Sequence, residues 1–153
     1  MSVLDDRLAE LGLTIPATPA PAGAYVPALV SGSLVFTAGQ LPTVGGVLPA
    51  TGKVGAEVSP ELAKEIAANC VLNGLAAAKS VIGSLDRITR VVKVVGFVAS
   101  DPSFTGQPGV INGASELLGE IFGEAGRHAR SAVGVAVLPL DAPVEIEFVF
   151  EIA

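Results

Sequence analysis

The chain of 153 residues contains no tryptophan and only one each of tyrosine, methionine, cysteine and histidine. These scarcities are informative. A lone cysteine, Cys70, rules out a disulfide framework within the chain and suits a reducing compartment. It lies inside an apolar helical pattern and reads as a buried thiol used as a small hydrophobe. A lone histidine, His128, removes any mechanism that needs two, and no Ser/His/Asp spacing stands out. No clustered His, Cys or carboxylate ligands are visible, so no metal is expected. The glycine-containing stretches "GQPG" and "VGGV" are turn signals rather than phosphate loops, and no cofactor is expected.

Charge is also sparse. Only 16% of residues are charged, the net charge is −6, and Lys and Arg never form a run. Nucleic-acid binding draws on basic patches and counterion release, so the balance argues against DNA or RNA partners. No apolar stretch approaches the roughly 20 residues of a membrane span, and no membrane partner is expected. The start, "MSVLDDRLAELGL", is acidic and amphipathic, without the basic region and apolar core of a signal peptide. A cytoplasmic location is expected.

Apolar residues, by contrast, are plentiful. They make up 50% of the chain, with a mean hydropathy of +0.64. A small monomer would need a more polar surface, so the composition predicts a homo-oligomer that buries apolar surface against its own copies.

Residues 2–11 read as a short helix, with Val3, Leu4, Leu8 and Leu11 at helical spacing and Gly12 ending it. "PATPAPAG", residues 16–23, is a stiff, extended connector. β-rich runs at 25–30 and 34–40 flank "SGS", a hairpin signal, and a turn-rich loop follows over 43–58 with a short strand near Lys53–Val54. Ser59 and Pro60 open a helix that runs to about Ile82, with Val71, Leu75, Ala78 and Ile82 on one face and Gly83 stopping it. "ITRVVKVVGFVAS", 88–100, is a long β-branched strand. A second helix covers 109–122, with Val110, Ala114, Leu117, Leu118 and Ile121 on one side. Two strands, in "HARSAVGVAVLP" and "APVEIEFVFEIA", complete the order β-β-α-β-α-β-β. This is an α+β layer in which two helices cover one face of a mixed or antiparallel sheet. The other face is left for another subunit.

Alternation sorts the last two strands. Arg130, Ala132, Gly134 and Ala136 share one face. Ser131, Val133, Val135 and Val137 share the other, and the valines are expected to form the core set beneath the helices. In the final strand Val144, Ile146, Phe148, Phe150 and Ile152 pack under the helices, while Glu145, Glu147, Val149 and Glu151 face away. Arg130 is therefore expected on the same sheet face as at least one glutamate. It can serve as half of a structural ion pair, or as a bidentate site for a carboxylate ligand above a floor of small residues. Tyr25 opens a strand. Asn112 lies near a helix start, where capping is the usual role.

With these residues in hand, the chain resembles the RidA/YjgF family, also labelled endoribonuclease L-PSP, over about Tyr25 to Glu151. The resemblance rests on "ARSAVGVAVLPLDAPVEIE" (129–147), on "FTAGQLP", and on "VINGASELLGEIFGEAGRHARS". It implies a chorismate-mutase-like (RidA-like) fold spanning 1–153 as a single domain, with 1–15 as an N-terminal helical extension. It also implies a homotrimer with ligand pockets between subunits. The implied activity is hydrolysis of reactive 2-imino and enamino acids to 2-keto acids and ammonia. The alternative is a non-catalytic protein of the same fold that binds small carboxylates. By the same resemblance Arg130 clamps the substrate carboxylate and Glu145 orients or activates water. Backbone groups of Gly39 and Ala132 contact the substrate, and Tyr25 and Asn112 line the pocket. The chain departs from the best-known branch at Ala38, where that branch has serine, at Ala132, where it has cysteine, and at "YVPA". An RNase function fits poorly with the acidic charge and the single histidine.

Overall fold

The helix signals in the sequence are realised as local hydrogen bonds. The structure, a computed structural model, describes residues 2–18, 20–21 and 23–153. Helix α1 spans Val3–Glu10 and is capped by Ser2, whose hydroxyl accepts from the Asp5 N–H. Helix α2 spans Pro60–Ile82, with the Ser59 hydroxyl accepting from the Leu62 N–H and Pro60 at its first position. Both caps satisfy backbone donors that a helix start leaves unpaired. At its far end Gly83 takes a φ of +82°, a left-handed value that favours glycine. Helix α3 spans Gln107–Phe122, starting two residues before the predicted boundary.

Five strands form one mixed sheet. They are β1 (Ala28–Ser31), β2 (Leu34–Thr37), β3 (Ile88–Ala99), β4 (Ala129–Val135) and β5 (Val144–Ile152), in the spatial order β1-β2-β5-β3-β4. Only the β3–β4 pair is parallel. Its connection is α3, as a parallel pair requires a crossover. The β1–β2 hairpin turns at Gly32, where φ is +59°. The expected strand at 25–30 begins only at Ala28, and Tyr25 lies in the bend before it. Around Lys53–Val54 there are only isolated bridges, from Val54 to Val58 and to Ser100.

The core lies between the sheet and helices α2 and α3. Val35, Val71, Leu75, Val94, Ile111, Leu118, Ile146 and Phe150 are fully buried there. Phe148 and Phe150 stack with ring centres 5.8 Å apart. Gly74 on α2 lets the Phe148 ring approach, since a Cβ there would sit 2.6 Å from its Cδ2. Helix α1 adds Leu4 and Leu8 to the same core, and the Asp86 carboxylate accepts from the Leu4 N–H at 2.9 Å. Among the described residues no helix is long and apolar enough to cross a membrane.

The structure corrects the assignment of faces on β4. Val133 is 45% exposed and Val137 is 64% exposed, so these valines are not the core set. The residues facing the helices are Arg130, Ala132 and Gly134. Arg130 pairs in register with the buried Val94, Ala132 packs against the core, and a Cβ on Gly134 would lie 2.7 Å from the Gln107 Nε2 of α3. The physical reason is steric. At Gly134 α3 runs so close to β4 that even a Cβ would crowd it, and the branched Val133 occupies the open face. On that face Val133, Phe97 and Glu145 form one row across β4, β3 and β5. Leu29, Phe36 and Val149 form another across β1, β2 and β5. Leu29 and Phe36 are 49% and 40% exposed.

Candidate functional site

The same register overturns a second expectation. Arg130 belongs to the row Arg130–Val94–Phe148, beneath the helices, whereas Glu145 belongs to the row Val133–Phe97–Glu145 on the open face. Within one chain the two residues are on opposite sides of the sheet. The site residues fall into two groups.

The first group is built on α3 and the edge strand β4. Arg130 Nη1 donates to Asn112 Oδ1 at 2.8 Å and to Ser115 Oγ at 3.1 Å. Asn112 and Ser115 are three residues apart on α3 and so share a helix face. Asn112 does not cap the helix as expected; α3 begins at Gln107, and the Asn112 side chain is a receptor for the guanidinium. An arginine only donates, so the amide must present its oxygen and turn its NH2 away. Both Nη1 hydrogens are thereby used. The Nε and Nη2 donors keep the fork geometry that suits a carboxylate. Among the described residues no Asp or Glu oxygen comes within 4.0 Å of this guanidinium, although Arg7 and Arg127 each pair with a glutamate. An open cavity of about 320 Å3 lies alongside, lined by Ser115, Gly119, Gly126, Arg127, His128 and Arg130. Ala132, next on this face of β4, is half-buried and apolar.

His128 belongs to the same group, although a lone histidine gives no catalytic pattern in the sequence. Its Nδ1 is 2.6 Å from the Gly126 carbonyl oxygen and its Nε2 is 2.9 Å from Ser115 Oγ. The signals were available. His128 and Arg130 are two apart in an extended segment, and Ser115 lies one turn from Asn112.

The second group is built where β2 leaves the sheet. Phe36 pairs with Val149 and Gln40 with Ile146, so four steps on one strand face three on the other. The extra residue makes a bulge. Thr37 Oγ1 accepts from the Phe148 N–H at 3.0 Å, taking the place of a strand carbonyl. Gln40 then exchanges both backbone hydrogen bonds with Ile146. The bulge carries Gly39 over Glu145, and a Cβ on Gly39 would lie 2.6 Å from Glu145 Oε2. Only glycine leaves room for the carboxylate in this position. Gly39 also lines a cavity of about 150 Å3 with Tyr25, Pro27, Gln40, Leu41 and Thr43. Burial pushes the Glu145 carboxyl above its ordinary range, and the neighbouring negative charge of Glu147 pushes it further.

Tyr25, Gly39 and Glu145 are thus together, as are Asn112, Arg130 and Ala132, but the two sets are not joined within one chain. Cys70 is fully buried in α2, and burial raises its thiol pKa strongly, which keeps it a thiol. Among the described residues no three His, Cys, Asp or Glu side chains are grouped to hold a metal ion.

Comparison with known proteins agrees with this fold. Residues 5–152 match the family described as "YjgF/chorismate_mutase-like, putative endoribonuclease". Protein TCP17 of Trypanosoma cruzi is 45% identical over 149 residues, covering 95% of this chain and 92% of that protein. The crystal structure of protein Atu1372 from Agrobacterium tumefaciens, of unknown function, superposes with a TM-score of 0.91 at 47% identity, covering 99% of this chain and 94% of that one. Escherichia coli TdcF, crystallised with bound serine, superposes with a TM-score of 0.62 at 26% identity, covering 89% and 94%. With its five-stranded mixed sheet, three helices and a match over nearly its whole length, the chain belongs to the YjgF/chorismate-mutase-like family.

Proposed function

We propose that the protein hydrolyses reactive 2-imino and enamino acids to 2-keto acids and ammonia, in a pocket shared by two subunits of a homotrimer. One observation carries this reading. Arg130 is fixed through Nη1 by Asn112 and Ser115, and among the described residues it has no acidic counter-ion within 4.0 Å. A guanidinium held in place but not neutralised is suited to a ligand carboxylate. The exposed apolar rows of the open face, Leu29, Phe36 and Val133 among them, support burial against another copy. Such packing brings Glu145 of one subunit toward Arg130 of the next. TdcF with bound serine supports a small carboxylate as the ligand class.

The chemistry needs little beyond positioning. Water adds to C2 of the C=N bond, and Glu145 takes a proton from it. The same proton is passed to the imine nitrogen, giving a carbinolamine. Glu145 then takes the proton of its hydroxyl and delivers it to the amino nitrogen, the C–N bond breaks, and ammonia leaves as C=O forms. A carboxylate with a raised pKa holds a proton more readily than an ordinary one, which suits a group that takes a proton and gives it back. A second reading, a non-catalytic carboxylate-binding protein, is favoured by Ala38 and Ala132, which remove the serine and cysteine that the resemblance would supply.

The test is to generate 2-iminopropanoate in situ and follow its decay. Acceleration that disappears with Arg130→Ala and Glu145→Gln is expected. No acceleration over a panel of imino acids, with keto-acid binding intact, would establish the binding-only reading instead.

A further inference from the structure

The group around Arg130 contains more than a clamp. His128 Nδ1 is 2.6 Å from the Gly126 carbonyl, which only accepts, so in the neutral imidazole Nδ1 carries the hydrogen. Its Nε2 then has a lone pair, and the Ser115 hydroxyl at 2.9 Å must donate to it. With its hydrogen committed to His128, Ser115 Oγ presents a lone pair to Arg130 Nη1 at 3.1 Å. Each bond fixes the direction of the next, from the Gly126 carbonyl to the guanidinium. Gly126 packs so closely against α3 that a Cβ there would collide with the Leu118 carbonyl oxygen. The relay therefore starts from closely packed backbone.

We propose that His128 is a positioning residue for carboxylate binding. Acting through Ser115, it holds the Arg130 fork in the orientation that receives the ligand. The inference rests on the carboxylate-binding reading above and adds to it a role for the only histidine in the chain. Without the imidazole acceptor the Ser115 hydroxyl is free to rotate. Its hydrogen can then point at the guanidinium, and the second restraint on Nη1 is lost.

Two measurements test this. The first needs no ligand. Because His128 is the sole histidine, its imidazole 15N resonances need no assignment. At about pH 9, above the ordinary imidazole range, the Nδ1–H tautomer is expected, and the Nε2–H tautomer would overturn the proposal. The second is calorimetric titration with pyruvate. Ser115→Ala and His128→Asn are each expected to raise Kd about five- to tenfold, and the double variant no further, because the two act in series. His128→Gln, which keeps an acceptor near the Nε2 position, is expected to stay within about twofold of wild type.

A purely structural role for His128, pinning the entry of β4 to Gly126, reverses the last pair. Asparagine, which keeps the donor to Gly126, would then behave as wild type and glutamine would not, and the proposal would be overturned. Wild-type affinity in both Ser115→Ala and His128→Asn, with binding lost in Arg130→Ala, overturns the relay and leaves the carboxylate reading intact. No pyruvate binding by wild type overturns both.

Discussion

The two groups of site residues are built in opposite ways. Arg130 is a charge anchored by neutral acceptors on a helix, so its position is fixed while its charge remains unanswered. Glu145 is a charge confined by burial and by a second carboxylate, Glu147, beneath a glycine in a strand bulge. In the proposed function the first group binds an anion and the second holds and releases a proton. Placing them on opposite faces of one sheet also keeps them from neutralising each other as an intramolecular ion pair, the bland role that the sequence allowed.

The comparison is broken most completely by removing the proposed contact between copies. Val133→Glu places a charge on the exposed apolar row, and sedimentation should show monomers with no detectable turnover. A trimer of wild-type mass would show that this face is not the interface. Next come the two charges themselves. Arg130→Ala should weaken keto-acid binding on the order of 100-fold by titration. Glu145→Gln should lower kcat on the order of 100-fold with binding nearly unchanged. Equal losses of both properties in both variants would erase the division of labour.

Gly39→Ala is a finer probe. The new Cβ pushes against Glu145 Oε2, the mobile end of a side chain. The fold should persist with an unchanged Tm while kcat falls about tenfold from the displaced carboxylate.

Glu147→Gln should have the smallest effect. Glu147 raises the Glu145 pKa, so removing its charge makes Glu145 easier to ionise. Activity that requires ionised Glu145 is lost as pH falls through its pKa. The acid limb of the kcat profile should therefore lie above the ordinary carboxylate range in wild type and move to lower pH in Glu147→Gln. An unmoved limb would assign it to another group.

Much of the fold was legible because its signals are local. Ser59–Pro60 starts α2 and Gly83 ends it, Gly32 turns the first hairpin, and the alternation in β5 places Phe148 and Phe150 inward. The faces of β4 were not legible, because alternation says which residues lie together but not which side is covered. Residue size suggested the wrong side. Val133 is outside because α3 packs too close to β4 for a branched side chain at Gly134, a fact of helix-to-strand distance rather than of periodicity. The pairing of Arg130 with a glutamate on one face failed for the same reason. The bulge at Ala38–Gly39 was hidden because it depends on Thr37 replacing a carbonyl across to Phe148. His128 and Ser115 were within reach of spacing alone, but a lone histidine invites dismissal when only two-histidine chemistry is considered.

The central claim is that Arg130 and Glu145 act together only across a contact between subunits. Mixing Arg130→Ala with Glu145→Gln, each strongly impaired alone, tests it most directly. After subunit exchange at equal concentration, about a quarter of the sites should combine an intact arginine from one subunit with an intact glutamate from its neighbour. Imino-acid hydrolysis should recover toward that fraction of wild type. Mixed trimers, verified by mass, that remain as impaired as either parent would contradict the account.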